Sequence, residues 1–139
     1  MSLNPWKIRL VTSASAVVIL AVALGIRAFF GGALEQYSGT ALYASIVYAA
    51  VVFVWPPITA LVAGGFTTGF CWLVEIAQLT PVPAALSARS LLARFVLGVQ
   101  FDPVDLAWYP VGVVPLVVLH RLIRVRARNR TVGTATASV

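Results

Sequence analysis

The stretch ITALVAGGFTTGFCWLVEIAQL, from Ile58 to Leu79, decides the fold class of this chain. Almost every residue before Glu75 is apolar or small, and the run is about as long as the ~20 residues that a helix needs to cross a bilayer. We therefore predict a transmembrane helix over 58–79. Glu75 and Gln78 lie one helical turn apart near its end, and they need an explanation because an ionisable side chain inside a span is costly.

The composition of the whole chain leads to the same class. Of its 139 residues 60% are hydrophobic and 10% are charged, with a mean hydropathy of +0.96. A soluble domain of this size could not bury so much apolar surface, so we expect one membrane domain over 1–130. Cys71 is the only cysteine, which excludes a disulfide within the chain. With His120 as the only histidine, we expect no metal site, no haem and no other cofactor from this chain alone.

Apolar runs and their breaks predict four spans. They cover about 8–30, 40–55, 58–79 and 104–123. A short polar connection, EQYSGT, leads into the second span, and Pro56-Pro57 ends it, because proline cannot continue a helix and restricts the residue before it. The segment 131–139 is predicted to be a disordered tail.

Between the third and fourth spans, 87–99 predicts a short amphipathic helix. Ser87 is a plausible N-cap, and Arg89 and Arg94 lie off the apolar stripe. The stripe consists of Leu91, Leu92, Phe95, Val96 and Val99. The segment is too short and too charged to span, so we expect it to be interfacial or re-entrant. The predicted fold class is thus all-α integral membrane, with four transmembrane helices and one short helix.

The basic residues predict the orientation. Four spans place both termini on one side, and seven basic residues flank the first and last spans: Lys7, Arg9, Arg121, Arg124, Arg126, Arg128 and Arg130. The positive-inside rule makes that side cytoplasmic. This distribution, with lipid headgroups as partners, explains the net charge of +6 better than nucleic-acid binding does.

This four-span topology brings together, at the outer end of the bundle, the polar residues that lie near the membrane core. These candidate binding residues are Glu75, Gln78, Arg89, Arg94, Asp102, Asp105, Trp108 and Tyr109. We expect Arg89 or Arg94 to pair with Glu75 and Asp105 to complete the network, because a charge in a span normally pairs or lines a wet cavity. No catalytic residue is assigned.

Several interpretations of this cluster stay open. Its charges could pin the outer loop onto the bundle, bind a lipid headgroup or other polar molecule, or catalyse with Glu75 and Asp105 as acid and base. The chain could also be an accessory subunit or self-associate, with Gly65 and Gly69 at a helix contact. A transporter is disfavoured, because no matching pair of interrupted helices and no internal repeat is evident.

The order of these motifs resembles a small bacterial membrane-protein family catalogued only as a domain of unknown function (DUF2809). It is also similar in pattern to VanZ-like proteins, which show E-x-x-Q, a downstream Arg and D-x-x-x-N-x-x-G. The resemblance covers roughly 42–119. It is carried by Glu75-x-x-Gln78, Arg89, and LGVQFDPVDLAWYPVG with Asp105, Tyr109 and Gly112.

The resemblance implies a compact multi-helix protein of the bacterial inner membrane with no established enzymatic activity. VanZ-like proteins are associated with glycopeptide resistance and the cell envelope, so a headgroup or an envelope-active compound becomes a candidate ligand. Tyr109 stands where the VanZ pattern has Asn, which removes an amide from any shared site.

Overall fold

A computed structural model describes residues 4–136, and within that range all regular secondary structure is α-helical. Its six helices are α1 (Pro5–Phe29), α2 (Ala33–Val54), α3 (Ala60–Ala77), α4 (Pro81–Arg89), α5 (Leu91–Leu97) and α6 (Asp105–Thr136). Four of them, α1, α2, α3 and α6, are long and apolar enough to cross a bilayer. The expectation of four helices long and apolar enough to span a membrane is therefore confirmed, and the chain is a multi-pass membrane protein.

The first two spans form a hairpin with a very short turn. Asn4 caps α1 by accepting from the Trp6 N–H at 3.3 Å, and α1 ends before Phe30. Gly32 then turns the chain with φ +70°, a conformation that favours glycine. The predicted polar connection 35–40 is wrong, because α2 already begins at Ala33 and the polar residues form its first turns.

The second turn follows the proline signal. α2 ends at Val54, and Thr59 caps α3 by accepting from the Val62 N–H. The turn between them leaves no room for a domain, as expected from Pro56-Pro57. Spans two and three are therefore antiparallel neighbours.

The single amphipathic helix predicted over 87–99 is instead a pair of short helices. α4 begins at Pro81 and ends at Arg89, and α5 begins after the extended Ser90. Ser90, not Ser87, is the N-cap, because its side chain accepts from the Ala93 N–H at 3.3 Å. Proline at the first helical position starts α4 earlier than the apolar stripe indicates. Whether this α4–α5 hairpin is interfacial or re-entrant stays a prediction.

The last helix is longer than predicted and contains two prolines. α6 extends to Thr136, into the segment for which a disordered tail is predicted; 137–139 lie outside the described residues. Pro110 cannot donate to the carbonyl of Leu106, and the indole N–H of Trp72 on α3 donates to that oxygen instead, at 2.9 Å. A neighbouring helix thus satisfies a carbonyl that the proline leaves without its helical partner.

α2 lies at the centre of the bundle and packs against α1, α3 and α6. It approaches α6 closely at Gly112, where an added Cβ would overlap the Ala41 carbonyl. At the same place the Ser45 hydroxyl donates to the Gly112 carbonyl at 2.9 Å. α3 approaches α6 through Gly64, whose Cβ would lie 2.5 Å from Val117. Small residues therefore determine how closely the helices pack, as is usual in membranes.

The bundle has two ends that carry different groups. We call the loop end the one with the Gly32 turn, the α4–α5 hairpin and the start of α6. We call the terminal end the one with the N-terminus, the Pro56-Pro57 turn and the distal part of α6. At the terminal end, Arg9 donates to the Phe53 carbonyl at 3.2 Å and Arg124 to the Pro56 carbonyl at 2.8 Å.

Candidate functional site

Glu75 lies at the centre of the loop end and is almost completely buried, with 1% of its surface exposed. Each carboxylate oxygen accepts one hydrogen bond. The backbone N–H of Asp102 donates to Oε1 at 2.7 Å, and the Tyr109 hydroxyl donates to Oε2 at 2.6 Å. Glu75 on α3 thereby fixes the loop before α6 and the first turns of α6 itself.

Two aspartates extend this arrangement toward the start of α2. Asp102 accepts from the Gln36 amide at 2.6 Å and, with its other oxygen, from the Val104 N–H at 2.9 Å. Asp105 accepts from the Thr40 hydroxyl at 2.9 Å. The carboxylates of the loop end thus join α2, α3 and α6 through neutral donors.

A second group of hydrogen bonds holds the α4–α5 hairpin onto the spans. The Gln78 amide donates to the Leu97 carbonyl at 2.7 Å, and the Tyr43 hydroxyl on α2 donates to the Val96 carbonyl at 2.7 Å. Within the hairpin, the Ser87 hydroxyl donates to the Gly98 carbonyl at 2.7 Å. Gly98 has φ +65°, so this tight turn uses the freedom of glycine. The hairpin is therefore a positioned element of the fold.

The two aromatic residues at the start of α6 have different environments. Tyr109 is 5% exposed, and its ring lies 6.3 Å from the Tyr43 ring. Trp108 is half-buried and stacks on Tyr37 with ring centroids 5.3 Å apart and planes 7° from parallel. Both rings contribute to the contact between α2 and α6.

The expected ion pair between Glu75 and an arginine is wrong. Arg89 and Arg94 are both exposed, and neither makes an ion pair or a side-chain hydrogen bond with any residue in 4–136. Burying a guanidinium beside Glu75 would require desolvating a second charge, whereas Tyr109 and a backbone N–H stabilise the carboxylate without that cost. The ion pair found among the described residues joins Arg27 and Glu35, at 3.6 Å.

The sequence interpretation missed the α2 contribution to this site. Gln36, Thr40 and Tyr43 hold Asp102, Asp105 and the hairpin, but two of them lie in the segment read as a polar connection. Their spacing of four and then three residues places them along one face of a helix. This spacing is the sequence signal for the site, but it has meaning only if the segment is helical.

The described residues contain no group of three or more His, Cys, Asp and Glu side chains arranged to hold a metal ion. They instead form a group of carboxylates that accept hydrogen bonds from neutral donors, next to a hairpin that carries the exposed Arg89 and Arg94. Such an arrangement can position an anion-binding surface.

A family model described as "Protein of unknown function (DUF2809)" matches residues 29–113, which is more than half of the chain. The chain belongs to the DUF2809 family. The resemblance to that family is thus confirmed, while the VanZ-like comparison stays a prediction. No solved structure matches the chain at a significant level.

The DUF2809 match and the candidate site coincide. It spans α2 to α5 and the first part of α6, and it contains Glu75, Gln78, Asp105, Tyr109 and both hairpin arginines. α1 lies almost wholly outside it, as does α6 beyond Val113. The matched region therefore contains the whole loop end, together with the Pro56-Pro57 turn of the terminal end.

Proposed function

We propose that this chain is a small, non-enzymatic protein of the bacterial inner membrane that binds, at the loop end, an anionic lipid headgroup or an envelope-active compound of the kind that its VanZ-like resemblance implies. The observation that carries the proposal is the exposure of Arg89 and Arg94, without partners in 4–136, on a hairpin hydrogen-bonded to the spans. Guanidinium groups suit phosphate and carboxylate because their planar donors match these anions.

The surroundings of the two arginines favour a ligand in the membrane surface. Leu91, Leu92 and Phe95 are each about 70% exposed on α5, so apolar and cationic side chains share one short element. This combination is typical of an element at the boundary between headgroups and acyl chains.

The geometry of Glu75 supports a binding protein more than an enzyme. A general base must reach the proton that it removes, but both oxygens of Glu75 already accept hydrogen bonds and its side chain is buried. In this proposal Glu75, Gln78, Asp102 and Asp105 hold the site in place, and the arginines contact the ligand.

Native mass spectrometry of the protein, extracted from its own membrane in a mild detergent, tests this function. We expect a discrete lipid-sized adduct that is lost in the double variant Arg89→Gln/Arg94→Gln, each arginine contributing about fivefold to affinity. Arg27→Gln is the matched control, because Arg27 also lies at the loop end but pairs with Glu35. An adduct that both variants retain equally would contradict the proposal.

A second candidate, an accessory subunit or a self-associating chain, has one observation in its favour. Gly65 and Gly69 on α3 are exposed, and an added Cβ at either position would meet nothing within 4 Å. The pair does not serve packing within the bundle, where Gly64 does. If this face holds a complex together, Gly65→Leu/Gly69→Leu should dissociate the complex and leave the headgroup adduct intact. An assembly whose mass is unchanged, with the headgroup adduct lost, would contradict the second candidate.

A further inference from the structure

At the terminal end, opposite the candidate site, the bundle contains a cavity of about 200 Å³. α1 and α6 both pack on α2 but hardly contact each other, so a partly open cleft lies between them. The walls are aliphatic for most of their length: they include Ile8, Val11 and Ile19 of α1 and Leu116, Leu119 and Ile123 of α6. The cleft therefore offers an apolar surface beside α2 on which a lipid acyl chain could lie.

One end of the cleft is cationic. Lys7 and Arg124 line it there, and Arg124 is held at the Pro56-Pro57 turn by donating to the Pro56 carbonyl at 2.8 Å. The Lys7 ammonium has no ion-pair or hydrogen-bond partner within 4–136. The polarity of the cleft thus changes along its length, from apolar inside to cationic at the terminal end.

A chain of hydrogen bonds leaves one further donor in the cleft. Arg124 Nε can only donate, so His120 Nε2, 2.8 Å away, must accept. The imidazole hydrogen therefore lies on Nδ1 and points at the Tyr48 oxygen, also 2.8 Å away. The Tyr48 hydroxyl hydrogen then has no acceptor among the described residues, although Tyr48 is 4% exposed and lines the cleft.

We propose that this cleft binds one anionic phospholipid, with its phosphate at Lys7 and Arg124 and one acyl chain along the aliphatic walls. Tyr48 hydrogen-bonds His120, which precedes Arg124 by one turn of α6 and therefore lies about 5 Å further from the terminal end. The Tyr48 hydroxyl is thus placed deeper than the phosphate and suits an ester carbonyl. This site is separate from the loop-end arginines and does not depend on the proposed function.

The distribution of charged residues favours a phospholipid in this cleft over an apolar helix from another protein. All four acidic residues of the chain, Glu35, Glu75, Asp102 and Asp105, belong to the loop end, whereas seven basic residues belong to the terminal end and two of them, Lys7 and Arg124, line the cleft. An apolar partner helix would gain nothing from cations at the mouth, whereas a phosphate gains from each of them.

The first test compares two lipids on the full chain carrying Arg89→Gln/Arg94→Gln, so that the loop end does not contribute. Native mass spectrometry should show one phosphatidylglycerol bound about fivefold or more tighter than phosphatidylcholine with the same acyl chains. Lys7→Gln should weaken phosphatidylglycerol about fivefold. Arg126→Gln, an exposed residue of the same end that does not line the cleft, should leave it unchanged.

The second test fills the cleft without altering charge. Ser15 lines it, and its hydroxyl bonds only the Val11 carbonyl of its own helix, so Ser15→Phe should abolish the retained lipid. Ser13→Phe, on the exposed side of α1, is the control. Equal binding of the two lipids, equal losses in Lys7→Gln and Arg126→Gln, or retention of the lipid in Ser15→Phe would each overturn the proposal.

Discussion

At Glu75 the protein stabilises a carboxylate inside a span with neutral donors and no counter-ion. Insertion of such a group costs about 2.5–3.5 kcal/mol on translocon scales. Two short hydrogen bonds, from Tyr109 and from the backbone of Asp102, offset part of this cost, since bonds to charged acceptors are stronger than neutral ones. Glu75 therefore connects α3 to the loop before α6 and to α6 itself, 27 and 34 residues further along the sequence.

Removing the Tyr109 hydroxyl should measure the strength of this connection. Tyr109→Phe leaves Oε2 of Glu75 buried without a donor, and we expect a loss of about 1–3 kcal/mol in stability. Thermal unfolding in detergent would show it as a lower transition temperature. Tyr37→Phe is the matched control, because that hydroxyl makes no hydrogen bond within the described residues and the stack on Trp108 survives. Equal shifts in the two variants would contradict the assigned role.

The sequence predicts which residues of the site matter but not how they pair. A buried Glu near two arginines favours an ion pair on charge alone. The actual donors are the Tyr109 hydroxyl and the backbone N–H of Asp102. A backbone donor has no sequence signal, and the position of Arg89 depends on the break at Ser90, a short-range detail that apolar periodicity does not show.

At the scale of helices, α2 and α6 pack closely because the residues at their contact have small side chains or none. Ala41 and Gly112 bring the two backbones close, and Ser45 bonds across the contact. Any larger residue at Gly112 must separate these helices. It would also weaken the bond between Thr40, which is next to Ala41, and Asp105, which lies about two turns before Gly112. Helix packing and the geometry of the site are thus linked.

Gly112→Ala should therefore be severely destabilising, although alanine is the better helix former. The new Cβ would overlap the Ala41 carbonyl, a backbone atom that cannot rotate away, and we expect several-fold less folded protein by size-exclusion chromatography in detergent. Gly69→Ala is the control, since its Cβ meets open space, and it should be neutral or stabilising by up to about 1 kcal/mol. Normal yield of Gly112→Ala would show that the helices are not so closely packed.

The proline in α6 provides a second prediction at this scale. Trp72→Phe keeps an aromatic ring on α3 but removes the donor to the Leu106 carbonyl, which Pro110 cannot bond. We expect a loss of about 0.6–1.7 kcal/mol, from the average to the largest value for side-chain hydrogen bonds between membrane helices, measured by unfolding in mixed micelles. Trp55→Phe, exposed at the α2–α3 turn and without such a bond, should change stability less. A larger effect from Trp55→Phe would point to ring packing as the cause.

Long apolar runs predict the four spans well, and the errors occur where chemistry and secondary structure disagree. EQYSGT has the composition of a loop, yet it forms the start of α2 because Gln36 and Thr40 find acceptors on the α5–α6 loop and α6. The basic stretch after Ile123 lacks apolar periodicity and still continues α6. Tertiary contacts and helix continuation are not visible to a count of apolar residues.

Across the whole molecule the charges are segregated by end. The acidic residues belong to the loop end, and most basic residues belong to the terminal end. Because four spans place both termini together, the positive-inside rule predicts a cytoplasmic terminal end and an outward loop end. The loop-end site would then lie in the outer leaflet and the cleft site in the cytoplasmic leaflet of the same membrane.

Cysteine labelling in intact bacteria tests this orientation on the native background, because Cys71 is fully buried and should not react. With a membrane-impermeant maleimide, Gln100→Cys in the α5–α6 loop should label in whole cells, and Asn129→Cys on distal α6 only after permeabilisation. Both positions are exposed in the structure, so access to the reagent depends on the side of the membrane. The reverse labelling pattern would show that the protein has the opposite orientation, with the Arg89 and Arg94 surface at the cytoplasmic leaflet. That result would exclude a periplasmic envelope compound as its ligand while leaving the phosphate chemistry of the arginines unchanged.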